Sequence, residues 1–179
     1  MSCEYIAVFA YDENTYAFGR ENSLPWHNVK SDISFLKEQI QGAAAVILSR
    51  ALLKSLPKSF KDFLEGENVE IHTGHRDGAP PEIIVDLLDI KFGGEKVLVL
   101  GGREIFNIFL RKRLLHKCLV TSLNFSDPLV FDSKTKSARG LMDQINNMSV
   151  SKSEINAFTD ENTSNGICTG KITEYVLRS

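Results

Sequence analysis

The strongest constraint on this chain is a set of short, nearly unbroken apolar runs: residues 5–11 (YIAVFAY), 43–48 (AAAVIL) and 96–100 (KVLVL). They lack the alternation of a strand with one wet face and suit strands buried on both faces, as in a sheet covered by helices. Between them the apolar period changes. Ile33, Leu36 and Ile40 recur at helical spacing with Lys37 and Glu38 turned away, which predicts a helix from Ser31, with Ser31 as N-cap and Asp32 in the first turn. Further helices are expected near residues 50–55, at 82–90 behind Pro80-Pro81, and near 104–110. Residues 69–73 and 119–123 read as two more strands, the former less apolar and nearer an edge. Residues 58–68 read as charged and irregular, 12–16 as a polar loop, and 124–139 as a loop before a short apolar stretch near Leu141. Residues 149–158 and 170–177 flank the turn-rich DENTSNG at 160–166, which predicts an antiparallel hairpin. Strands alternating with helices and ending in a hairpin make a single-domain α/β fold over residues 1–179, mostly parallel with an antiparallel edge.

Composition narrows the function classes more than it names one. A net charge of −2 argues against a basic nucleic-acid binder, and the 42% hydrophobic fraction is that of an ordinary globular domain. The three cysteines, Cys3, Cys118 and Cys168, form no Cys-x-x-Cys pair, so packed, reduced thiols are expected rather than a disulfide framework or a cysteine zinc site. The N-terminal residues lack the features of a secretory signal, and no window is apolar enough to span a bilayer. A soluble protein in a reducing compartment is the expectation.

Three local features carry chemistry when taken together. Asp32 is an acid among Ile33, Phe35 and Leu36 on the apolar approach to a helix; it either stabilises the helix start or serves a site that pairs with it. Gly101-Gly102 stands where a buried strand meets a helix, a place where backbone amides can approach a phosphate, or only a tight connection. Thr121 lies in a buried strand, where its hydroxyl needs a partner. Other candidates read as ordinary. His72 and His75 have metal-like spacing without a third ligand, Arg111-Lys112-Arg113 complements a helix end, and Asn147-Met148-Ser149 is a glycosylation pattern with no secretory route.

At these residues the chain resembles dihydrofolate reductase, nearly end to end. Residues 5–11 lead into Phe18-Gly19-x-x-Asn22-x-Leu24-Pro25-Trp26, similar to the family's mobile loop, and Asp32 falls where the family carries its active-site carboxylate. Residues 97–106 (VLVLGGREIF) resemble the strand, double glycine and helix that hold the cofactor pyrophosphate, and Val120-Thr121 the strand whose threonine assists the acid. The resemblance implies NADPH as cofactor, dihydrofolate as substrate, and hydride transfer to pterin C6. Asp32 would anchor the pterin, Thr121 would hold Asp32, and Trp26 would cover the site and position water. Ile33, Leu36 and Leu56 would wall the pterin and benzoyl rings, Lys37 would meet the substrate tail, and the carbonyls of Val8 and Leu100 would face the bound rings. The cofactor would lie along Ala10, Phe18, Gly19, Ser23, Leu100, Gly101, Gly102, Arg103, Glu104, Ile105 and Phe106, with residues 18–23 closing over the nicotinamide. Arg50, His75 and Arg76 would favour NADPH over NADH by meeting its 2′-phosphate.

Several positions depart from the family pattern. Ser49-Arg50-Ala51-Leu52-Leu53 stands for Gly-Arg-x-Thr-Trp, keeping only the arginine. Glu67 stands where the arginine that clamps the substrate's glutamate tail is expected, leaving Lys37, Lys58 or Lys61 as substitutes. Phe106 replaces a tyrosine, and Asp127-Pro128 an Asp-Thr motif. Two readings stand: a divergent, phage-like dihydrofolate reductase, or a reductase-like domain that binds another pterin or serves a structural role. A riboflavin-pathway reductase would have no reason to keep Leu-Pro-Trp followed by the acid. The resemblance further implies a monomer in the cytoplasm (the host's, if phage-encoded) that engages neither nucleic acid nor membrane.

Overall fold

Strand β1 (Glu4–Asp12) sits in the middle of a seven-stranded sheet of order β4-β3-β5-β1-β6-β9-β8 in this computed structural model, which describes residues 1–20, 24–27, 29–74 and 80–178. The five strands β4 (Glu70–Gly74), β3 (Ala45–Ser49), β5 (Lys96–Gly101), β1 and β6 (Lys117–Phe125) are parallel. The hairpin of β8 (Ser149–Thr163) and β9 (Gly166–Leu177) closes the sheet antiparallel to β6. The α/β fold with its antiparallel edge is therefore as the apolar runs imply, and β4 does stand at the opposite edge.

Successive side chains of these strands divide between two helical layers. One face (Tyr5, Ala7, Ile47, Val97, Val99, Cys118, Val120) packs on α4 (Pro81–Phe92), α5 (Arg103–Arg111) and α6 (Arg139–Met148). The other (Ile6, Val8, Val46, Leu48, Leu98, Leu119) packs on α1 (Lys30–Gln41), α2 (Arg50–Ser55) and α3 (Lys58–Gly66). Helix α5 shows why such segments fold: Ile105, Phe106, Phe109 and Leu110 are all buried on one stripe, each side chain contributing roughly 1.5–3 kcal/mol by leaving water. Pro81 opens α4 at its first position, where no amide partner is lost.

Four local expectations need correction. Residues 58–66 form α3, whose Phe60 and Leu64 are buried one turn apart beneath a charged exterior. Helix α1 begins at Lys30 with Val29 as its cap residue, so Ser31 is inside the first turn rather than capping it; Asp32 is in that turn as expected. Residues 18–20 do not belong to a loop: Ala17–Arg20 is strand β2, paired with β7 (Thr135–Ser137) inside the segment expected to be a loop. Arg20 also meets Asp132 at 3.0 Å, and Tyr16 stacks on Tyr11 with the Arg139 guanidinium 4.2 Å from its ring centre. Finally, β8 extends to Thr163, so the turn is only Ser164 and Asn165, closed by Gly166 at φ 79°.

Candidate active site

The sheet parts at its centre. The β1–β5 pairing runs from Glu4↔Lys96 to Ala7↔Val99 and stops, whereas β1–β6 continues to Asp12↔Leu123. Beyond Ala7 and Val99 no pairing joins the two strands, which leaves Val8 and Ala10 of β1, and Leu100 and Gly101 of β5, at the carboxyl ends of the parallel strands. Open α/β sheets take their ligands at such ends.

On the β5 side the strand runs into Gly101-Gly102, joined by a cis peptide. Gly101 has φ 111°, and a Cβ there would stand 2.9 Å from the Phe106 ring, so only glycine fits. A Cβ on Gly102 would meet nothing within 4 Å, so its backbone borders open space. Gly102 is the cap residue of α5, no side chain among the described residues caps that helix, and its first turn carries the exposed Arg103 and Glu104. This is a cradle suited to a phosphate pair, and the residues present fit a dinucleotide there. Ile105 and Phe106 are buried beneath it as its support.

On the other side, the first turn of α1 brings Asp32 to the sheet face of Leu119, Thr121 and Leu123. Burial, and secondly the like charge of Asp160, push the Asp32 carboxyl up to about 7 from an ordinary 3.8. Thr121 is 2% exposed, and no hydrogen bond joins it to Asp32 among the described residues. Trp26 is equally enclosed against Ala10, Val29, Leu123 and Phe125, and among the described residues its buried indole N–H has no hydrogen-bond partner. An unmet buried donor costs about 1–3 kcal/mol, so this N–H is primed for a ligand or water.

The remaining candidates divide. Leu36 and Leu56 are partly buried against the α1–α3 layer, while Ile33 is 39% exposed beside them. The Lys37 ammonium lies 5.1 Å from the Phe63 ring centre, in the groove between α1 and α3. Glu67 ends α3 and reaches the Gln41 amide at 3.4 Å, one helical turn beyond Lys37. Lys61 lines an outward depression with Leu53, Lys54, Leu64, Glu65 and Ile71, to which α1 contributes nothing, and Lys58 is exposed at the start of α3. At α2, Ser49 accepts the Leu52 amide at 3.1 Å, so its hydroxyl caps the helix, while Arg50 is exposed in the first turn. Phe18 packs edge-on to Phe9 on the α5 face, with Gly19 beside it in β2. Ser23, His75 and Arg76 lie outside the described residues.

Sequence reasoning missed two features. One is the parting of β1 from β5, which no local signal announces. The other is Asp160, read as part of a turn, which reaches the residue next to Asp32. Among the described residues no group of three or more His, Cys, Asp or Glu is placed to hold a metal ion, and His72 Nε2 lies 3.0 Å from Glu70. The cysteines are buried and unpaired, and no described helix is long and apolar enough to cross a membrane.

A dihydrofolate reductase from Enterococcus faecalis, solved in complex with NADP(H) and RAB-propyl, is similar over 100% of both chains with a TM-score of 0.62 and 15% sequence identity. The chain thus has the dihydrofolate reductase fold, as a divergent example. No family model matches it, and no curated protein sequence does.

Proposed function

We propose that the chain is an NADPH-dependent reductase of dihydrofolate or a close dihydropterin. The observation that carries this reading is Asp32, a partly buried acid in the first turn of α1 whose carboxyl is pushed up to about 7, in a chain that also has the Gly101-Gly102 pair where β5 meets α5. A solved structure with this fold is a dihydrofolate reductase complexed with NADP(H).

A bound reduced nicotinamide would supply the hydride. The amides at Gly102 and the start of α5, with Arg103 alongside, would hold the pyrophosphate; Arg50 would attract the 2′-phosphate, together with His75 and Arg76. Val8, Ala10 and Leu100 would border the reacting rings, with Phe18 and Gly19 nearby in the strand that pairs with β7. Asp32 accepts two charge-assisted hydrogen bonds from N3–H and the 2-amino group of the pterin, fixing its orientation and favouring a proton on N5. The Trp26 N–H would hold the water that delivers that proton, and Thr121 would border the site from the sheet. Leu36, Leu56 and Ile33 wall the rings.

Lys37 would meet the glutamate tail, as a point charge without an arginine's fork, and Glu67 would oppose it. That contrast favours a second reading, in which the preferred pterin has no glutamate tail. A cytoplasmic monomer accords with either. The test is the oxidation of NADPH followed with dihydrofolate and, separately, with a tail-less dihydropterin. Substrate-dependent oxidation with dihydrofolate supports the first reading, and oxidation with the tail-less compound alone supports the second. A well-folded protein inactive with both refutes the proposal.

A further inference from the structure

Helix α1 reaches its functional turn without a cap of its own: Val29 offers no side-chain acceptor to the first amides. The acceptor comes instead from the hairpin. Asp160 of β8, 129 positions away in the chain, accepts the Ser31 amide through Oδ2 at 3.0 Å and the Ser31 hydroxyl through Oδ1. Both oxygens of one carboxylate thus hold the residue adjacent to Asp32. A carboxylate is favoured there by the helix dipole and by the unmet amides, and two bonds to one residue fix rotation as well as position. We propose that Asp160 is a positioning residue of the site, a cap supplied by the hairpin that sets the orientation of the α1 turn carrying Asp32.

The inference deepens the role given to Asp32 and rests on it. Its arrangement has an electrostatic consequence: two carboxylates share one neighbourhood. From α1 the charged groups facing Asp32 are its own neighbour Lys30, which is exposed, and from β8 Asp160, with Glu161 beside it. The Cys168 thiol of β9 and Asp12 of β1 complete the surroundings. Burial raises that thiol first, and Asp160, Asp32 and Asp12 all add to the rise. Asp12 is engaged by the Thr15 amide and hydroxyl, at 3.0 and 2.6 Å. Asp160 is the group whose charge bears on Asp32 directly.

The test is the titration of Asp32 in the ligand-free full chain, read from carboxyl carbon shifts and assigned by its absence in Asp32→Asn. The account expects Asp160→Asn to lower the Asp32 midpoint by about one pH unit, because a like charge disappears. The falling limb of kcat/KM against pH should move by the same amount. Ser31→Ala keeps the charge and the amide bond, so it leaves the midpoint near that of the wild type. An unchanged midpoint in folded Asp160→Asn overturns the assignment, as does an equal fall in both variants, which would report general loosening of the hairpin. Asp160→Thr, uncharged and suited to a strand, replaces the asparagine variant should that fail to fold. A wild type without reductase activity would refute the proposed function alone, because the carboxyl titration is read without turnover.

Discussion

Asp32 is held where folding opposes its ionisation. Its native pKa of about 7 lies above the ordinary 3.8, so between these values the native state binds a proton that the unfolded chain has released. Stability is therefore fully present below about pH 4, erodes as pH rises, and has lost up to roughly 4 kcal/mol above pH 7. Asp32→Asn removes the titration while keeping the shape, so the variant should melt higher than wild type near pH 8 and at about the same temperature near pH 4. Thermal melts at the two pH values check this, and a difference independent of pH would contradict it. At this scale the sequence was informative where chemistry is rare: an acid in an apolar helix approach, and a double glycine after a buried strand. It was silent on Asp160, because the bond to Ser31 joins residues with no shared local pattern.

Elements were legible where burial was two-sided or the period long. The central strands announce themselves because their helices exclude water from both faces, which removes the polar half of the pattern. Helix α3 was obscured by its lysines and acids, although Phe60 and Leu64 lie on one face. Strands β2 and β7 have four and three residues and acquire their structure only by pairing with each other, far apart in the chain. The α5 cradle depends on the helix beneath it. Phe109 is fully buried there, so Phe109→Ala should destabilise the fold by about 3–5 kcal/mol, in the range for a large ring lost from a core. Denaturant titration would measure it; a loss below about 1 kcal/mol would mean that α5 is not anchored as described.

Across the whole molecule, the function proposed requires a slightly acidic chain, of net charge −2, to hold two polyanions. It concentrates favourable groups locally: the helix start and Arg103 at α5, Arg50 at α2, and Lys37 beside Phe63. The fold explains how these distant segments meet, because the crossovers bring α1 and α5 to opposite faces of the sheet at the parting of β1 and β5.

The proposed reduction consumes one proton, which on this reading Asp32 would hold or pass to the bound pterin, so the rate should fall once that acid has given it up. The most direct test is therefore kcat/KM for dihydrofolate as a function of pH, in wild type and in Asp32→Asn. The wild type should show a plateau that falls about tenfold per pH unit above a midpoint near 7, and the variant should lose at least about a hundredfold in rate along with that midpoint. A wild-type profile without that limb, or an asparagine variant that retains both rate and profile, would contradict the account.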